Sequence, residues 1–356
     1  MTAAGDRPTF IPYLHKFRGV AILAIIGAHA WSMFGAFSGL QESNPGYIRI
    51  YAVTETLFHG STLFFALISG LLYSRVLCRQ RWPVFFGNKL RNVLAPYAFI
   101  TLMLTVLAWP EIHAYLIANK IPYNFLQIYG FQLLSGQAQI HLWYIPVLTV
   151  LFLSTPVLNA LRTPGQGIGL LLLGLMPLLV SRSTYPDLLS VKTVFFFLGA
   201  YAMGMYLGDR LETMHAFIER HAAALWSAFV LLTITNFLLF FWEYVPNAYI
   251  SLHQSVVYAQ KMVLALLLMQ ALKQAASHAP KLLDTLGTYA FSLYFLHLTF
   301  IWQFTELWLK FHPKPGLLEA AGIGLAMYVL CIAFSLWLSM AVHKVLGRHS
   351  RLFIGV

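Results

Sequence analysis

The sequence predicts an all-α, polytopic membrane protein of about ten transmembrane helices, with both termini in the cytoplasm. Three observations predict it. Hydrophobic residues make up 59% of the 356 and charged residues only 10%, where soluble domains average about 45–50% and about 25%. Apolar runs of bilayer length recur along the whole chain, and the mean hydropathy is +0.70. Basic residues also collect on alternate connections, which is how a membrane protein records its orientation.

A spanning helix needs about 20 mostly apolar residues. The segments that qualify are 17–37, 55–77, 92–110, 141–161, 167–181, 191–208, 222–242, 255–273, 285–308 and 318–343. The first follows Lys16 and Arg18 and reaches Ala28-His29-Ala30, the outline of a cleaved secretory signal. An uncleaved span is expected instead, because the segment before it is long and the run continues through Trp31, Met33 and Phe34. The fifth is short and the sixth contains several glycines.

An even count puts both ends of the chain on one side. With the N-terminus inside, the inner segments hold Arg7, Lys16 and Arg18, then Arg75, Arg79, Arg81, Lys89 and Arg91. They also hold Arg162, Arg210, Arg220, Lys273, Lys281, Lys344, Arg348 and Arg351. The outer segments keep Arg49, Lys120, Arg182, Lys192, Lys261, Lys310 and Lys314. The net charge of +11 is therefore a topology signal and needs no nucleic acid. Apolar coverage leaves no room for a second soluble domain, so residues 1–356 read as one transmembrane domain. Cys78 lies in a basic loop and Cys331 in an apolar run, which gives neither a disulfide nor a metal-ligand spacing. No metal is expected.

Two connections have character. The inner "SRVLCRQRWPVFFGNKLRN" is basic and aromatic, suited to lipid headgroups or to an anionic ligand. The outer one, 111–140, is nearly uncharged and rich in Tyr, Asn and Gln, which suits neutral polar groups such as sugars.

The chemistry starts in "FRGVAILAIIGAHAW", Phe17 to Trp31. Eleven residues of α-helix turn through nearly three full turns and rise about 16 Å. Arg18 and His29 therefore share a face, the arginine at the inner surface and the histidine past mid-membrane. Ionisable groups at that depth are costly and face a bundle interior or a wet cavity. In "FHGSTLFFALISGLLYSR", His59 lies near the outer end, Ser69-Gly70 deeper and Arg75 at the inner end. His141 opens the fourth span. Three histidines thus lie toward one side, opposite a basic cluster. Plain alternatives stand beside this reading: Arg18 as an anchor, His29 as a packing residue, Ser69 as a close-packing device, and Arg75 as a snorkelling side chain. No carboxylate is evidently placed to orient the His29 ring; Glu55, Glu243 and Glu306 sit near outer ends.

At these residues the sequence resembles the integral-membrane acyltransferase 3 family, which O-acylates bacterial surface carbohydrates. "FRGVAILAIIGAHA" is similar to its first span, and "FHGSTLFFALISGLLYSR" to its second with the trailing arginine. "NKLRNVLAPY" looks like its basic, proline-ended start to the third span. "HLWYIPVL" and "YAFSLYFLHLTF" look like its fourth and penultimate spans. Many relatives follow the fourth-span motif with a glutamate and precede the last histidine with tryptophan; here neither occurs, and Leu296 precedes His297. Many also carry an esterase-like domain; residues 1–356 are expected to hold none.

The resemblance implies a bacterial inner-membrane enzyme. Its donor co-substrate would be cytoplasmic acyl-CoA, acetyl-CoA foremost, and its acceptor a glycan hydroxyl. Polysaccharide-synthesis machinery is a further expected partner. The phosphates of the donor would meet Arg18, Arg75, Arg79, Arg81, Lys89 and Arg91, since arginine binds phosphate in bidentate fashion. The donor's arm would then run along the first helix, through a tunnel, to His29. His29 and Arg18 are the catalytic candidates, His29 as general base or as acyl acceptor. His59, His141 and Trp143 would meet the acceptor, and Ser69 a developing oxyanion. Tyr294 and His297 rest on the resemblance alone. Two other classes stay open. One is a polysaccharide or lipid transporter using the histidines as relays, against which stands the absence of paired repeats. The other is a non-catalytic assembly factor.

Overall fold

The computed structural model describes residues 10–162, 167–183, 187–242, 250–275 and 278–356; Arg7 and Glu243 lie outside them. The chain starts with α1 (Pro12–Phe37), whose proline occupies the first turn, where a missing N–H costs nothing. Leu14, Phe17, Ile22, Ile26 and Phe34 are all fully buried, so α1 is apolar on every side and runs through the bundle centre.

A short α2 (Leu40–Ser43) leads to α3 (Pro45–Phe58), which begins where the Asn44 side chain accepts the N–H groups of Gly46 and Tyr47. The helix stops at Gly60, whose φ of +76° suits only glycine at no strain. The chain resumes in α4 (Thr62–Leu72) and a π turn, Tyr73–Leu77. The second predicted span is therefore a broken helix. At the break the last carbonyls run out of helical donors. Nζ of Lys261 donates to Leu57 O at 2.8 Å and Thr56 O at 3.4 Å, and Nε2 of Gln260 adds a bond to Thr56 O at 3.3 Å.

The basic connection is itself helical. α5 (Trp82–Lys89) passes through a second π turn, Leu90–Leu94, into α6 (Ala95–Ala118). The segment read as an uncharged outer loop contains α7 (Phe125–Ser135). It opens on a capping box: Asn124 Oδ1 accepts the Gln127 N–H, and Gln127 Oε1 accepts the Asn124 N–H. Then come α8 (Tyr144–Ala160), α9 (Ile168–Leu175), α10 (Val191–Asp209), the amphipathic α11 (Leu211–Arg220) and α12 (Ala222–Trp242). The last are α13 (Leu252–Gln274), α14 (Lys281–Thr288), α15 (Ala290–Phe311), α16 (Leu317–Leu346) and α17 (Ser350–Ile354).

Every predicted span falls on helix, and no strand occurs among the described residues. Among the described residues seven helical stretches are long and apolar enough to cross a membrane: Pro12–Phe37, Pro45–Leu77, Trp82–Ala118, Val191–Asp209, Ala222–Trp242, Leu252–Gln274 and Leu317–Ile354. Tyr144–Ala160 and Ile168–Leu178 are apolar but shorter. The molecule is thus an all-α polytopic membrane protein.

In lipid, helices associate through close packing of small residues more than through the hydrophobic effect. α4 and α10 do this reciprocally. A Cβ at Gly70 would overlap the Tyr201 carbonyl, and one at Gly204 would overlap the Leu67 carbonyl. The two backbones touch, and α4 is thereby pressed against α1 with Phe64 on Phe17 at 5.2 Å.

Candidate active site

Two cavities open on α1. The first, about 720 Å³, surrounds Arg18 and is also lined by Lys89 and Arg351, with His15 and His343. Among the described residues no Asp or Glu lines it, and the terminal residue Val356 does. The Arg18 guanidinium lies 5.8 Å over the Phe291 ring. Lys89 Nζ lies over Phe152 at 4.3 Å and Phe85 at 5.1 Å. Neither cation belongs to an ion pair among the described residues. Both are held against aromatic faces, the favourable desolvated contact for a cation without a counter-ion.

Of the six proposed phosphate contacts, only Arg18 and Lys89 reach this cavity. Arg75 lies at the π turn and pairs with Glu212 of α11. Arg79, Arg81 and Arg91 are exposed and line neither cavity. The reason is the helicity of α5. It turns Lys89 inward on the face that carries Phe85 and leaves the flanking arginines outside. Arg351 was not anticipated, because nothing in sequence shows that α17 folds back onto α6.

The second cavity, about 570 Å³, is lined by His29, His59, His141, Trp143 and Tyr294. Five sequence candidates from four helical regions therefore converge. His29 and His141 have ring centroids 6.4 Å apart. His297 lies behind both, 5.3 Å from His29 and 4.7 Å from His141. It is fully buried and does not line the cavity, so it does not sit where an acceptor contact would. Ser69 lines neither cavity; its neighbour Gly70 makes the backbone contact with α10.

The polar atoms divide into committed and uncommitted. His141 is 2% exposed, yet neither ring nitrogen has a hydrogen-bond partner among the described residues. Nε2 of His297 is likewise buried and unpartnered. Burying a polar group without a bond costs roughly 1–3 kcal/mol, so these histidine nitrogens are held in place at a cost. The Tyr294 hydroxyl donates to the His141 carbonyl and holds that corner in place.

His59 is different. Nε2 contacts Arg182, which can only donate, so Nε2 accepts and Nδ1 carries the proton toward Glu55 Oε2 at 2.7 Å. Both nitrogens are committed to an Arg182–His59–Glu55 chain, and neither is free for a substrate hydroxyl. Glu55, read as too peripheral to matter, thus lines the second cavity with His29. Glu306 instead accepts from Trp302 and stays exposed. Arg182 and Lys261, both read as outer-loop charges, line or underlie the same region; Lys261 is fully buried. Burial pulls the pKa of the Arg182 guanidinium down, and the Glu55 carboxylate opposes that.

Among the described residues none lines both cavities, so the two are separate along α1, where one tunnel was expected. His29 faces a cavity rather than the outside of the bundle.

The helical membrane bundle thus carries one basic cavity and one histidine-lined cavity on a shared central helix. Residues 11–343 match the acyltransferase domain that defines the acyltransferase 3 family, and the chain belongs to that family. It is a multi-pass membrane acyltransferase. No match is found among curated proteins or among solved structures.

Proposed function

We propose that the protein moves a short acyl group, acetyl foremost, from acyl-CoA held at the first cavity to a hydroxyl of a cell-surface glycan held at the second. One observation carries this reading: α1 presents a cation without a counter-ion to one cavity and an imidazole with uncommitted neighbours to the other. Arg18, Lys89 and Arg351 suit the anionic nucleotide head of coenzyme A, since charge-assisted bonds to phosphate are strong. The basic end then faces the bacterial cytoplasm, as the inner-loop charges require. Trp143 and Phe240 offer faces to sugar rings, and Tyr51 offers its hydroxyl to those of the sugar.

His29 takes the proton from the acceptor hydroxyl as its oxygen attacks the thioester carbonyl. The C–O bond forms, the C–S bond breaks, and the thiolate recovers the proton. His141, at 6.4 Å, supplies a donor for the oxyanion. Direct transfer needs no acyl-histidine. The protein in liposomes, given labelled acetyl-CoA and polysaccharide, should label the polysaccharide. H29A should lower the rate by about 10²–10⁴-fold, the contribution of a general base, with acetyl-CoA binding retained. Wild-type labelling by H29A would overturn the assignment.

A further inference from the structure

The two cavities come close without meeting. α1 passes from one to the other between Arg18 and Ile25, about 10 Å of helical rise. α15 does so within one turn, Phe291 lining the first cavity and Tyr294 the second. Phe65 of α4 lines neither and fills the space between those two rings. It stacks on Phe291 at 6.2 Å and 21°, and meets Tyr294 edge-on at 6.5 Å and 86°. On the neighbouring position of α4, Phe64 packs on Phe17 of α1.

The three rings are not equally held. Tyr294 is tied by its hydroxyl to the His141 carbonyl. Phe65 and Phe291 have no polar handle, so packing alone keeps them in place. Phe291 is partly exposed to the first cavity and carries the Arg18 guanidinium on its face at 5.8 Å. Anything that draws Arg18 toward an anion removes one of the contacts that hold Phe291.

We propose that Phe65 and Phe291 form an aromatic gate between the cavities, the passage through which the neutral arm and thioester of the donor reach His29, released when the donor's phosphates engage Arg18. This rests on the donor reading given above. Closed, the gate keeps the thioester out of the second cavity until the donor's phosphates are seated. There water would attack the thioester in place of the glycan: its oxygen bonds to the acyl carbon, the C–S bond breaks, and a carboxylate and the coenzyme A thiol result.

Two readouts test it, one without catalysis. In a C78S/C331S background, I25C places a thiol in the second cavity, and a membrane-impermeant thiol reagent is applied from the first-cavity side. Labelling should be slow with Phe65, at least tenfold faster with F65A, and faster with Phe65 once coenzyme A is added. In liposomes lacking acceptor, F65A should hydrolyse acetyl-CoA at least tenfold faster than wild type. F65W should slow glycan acylation while leaving acetyl-CoA binding unchanged, which separates gating from misfolding. Equal labelling of I25C with Phe65 and F65A overturns the barrier. If labelling responds to F65A but not to coenzyme A, the barrier stands and its coupling to the donor falls.

Discussion

Nδ1 of His297 lies 2.8 Å from the carbonyl oxygen of Tyr294 and 3.1 Å from that of Leu293. Carbonyls only accept, so Nδ1 carries the proton and Nε2 keeps a lone pair. That lone pair is buried beside His29 and His141 without a partner. It is the one imidazole nitrogen in the trio whose state is fixed from outside. A ring that swings toward it donates its own proton there and turns its other nitrogen, as a base, to the cavity. His297 is thus a positioning residue, filling the part a carboxylate plays in other histidine-based sites. H297A should lower turnover on the order of 10–100-fold, the scale of an orienting partner, and displace the acid limb of the pH–rate profile. KM for the glycan should not change. A raised KM with normal turnover would return His297 to a substrate contact.

The basic residues separate into those that face the first cavity and those that do not. R18A and K89A should each weaken coenzyme A binding by about tenfold or more, given roughly 1.5–3 kcal/mol for a charged hydrogen bond. R79A, R81A and R91A should leave it within about twofold, as expected of exposed charges screened by salt. Calorimetric titration of the detergent-solubilised variants decides this. Equal losses at all five positions would mean that binding follows the general charge of that face.

How far the sequence showed this arrangement depends on whether the controlling contact is local. The spans, the Arg18–His29 spacing and the placement of His29, His59 and His141 toward one side of the membrane follow from helical periodicity and hydropathy, which each segment carries by itself. The meeting of His59, His141 and Trp143 at one site is implied only by the family resemblance. The break at Gly60 did not show, because glycine is common in membrane helices and nothing local announces its positive φ. Lys261 and Arg182 looked like loop charges because their partners lie far along the chain, at Leu57 and His59. The same holds for the retirement of Arg75: its counter-ion Glu212 comes from α11. Phe65 looked like one more apolar residue in an apolar span, and only the two cavities give it a task.

Lys261 is the second place where removing one side chain leaves others stranded. Its ammonium is fully buried, and the Thr56 and Leu57 carbonyls satisfy it. K261M removes a costly buried charge but leaves the Leu57 carbonyl without that donor. Loss of a buried partner costs about 1–3 kcal/mol. Detergent-solubilised K261M should therefore melt several degrees lower. It should also raise KM for the glycan, because Glu55 and His59 flank the same break. A K261M protein with unchanged melting and unchanged KM would show that the break needs no cation.

His215 makes the stability of the assembly depend on pH. It lies on α11 and is 4% exposed. Its Nδ1 bonds Gln270 Oε1 at 2.6 Å and its Nε2 meets the Tyr13 hydroxyl at 3.1 Å. Gln270 spends its amide on Glu219 at 2.7 Å, so its oxygen accepts and Nδ1 of His215 donates. Burial pushes the His215 pKa below its ordinary 6.5; the Gln270 bond, Glu219 and Glu212 oppose this, and Lys273 reinforces it. The folded state then binds fewer protons than the unfolded chain as pH falls through about 6.5, and stability falls with it. The contribution is fully present above that pH and is lost as pH drops toward the folded value. Melting temperatures of wild type and H215Q, measured in detergent from pH 8 to pH 5.5, should converge toward the acid end. Parallel curves would mean that this imidazole titrates alike in both states and plays no part in the acid sensitivity.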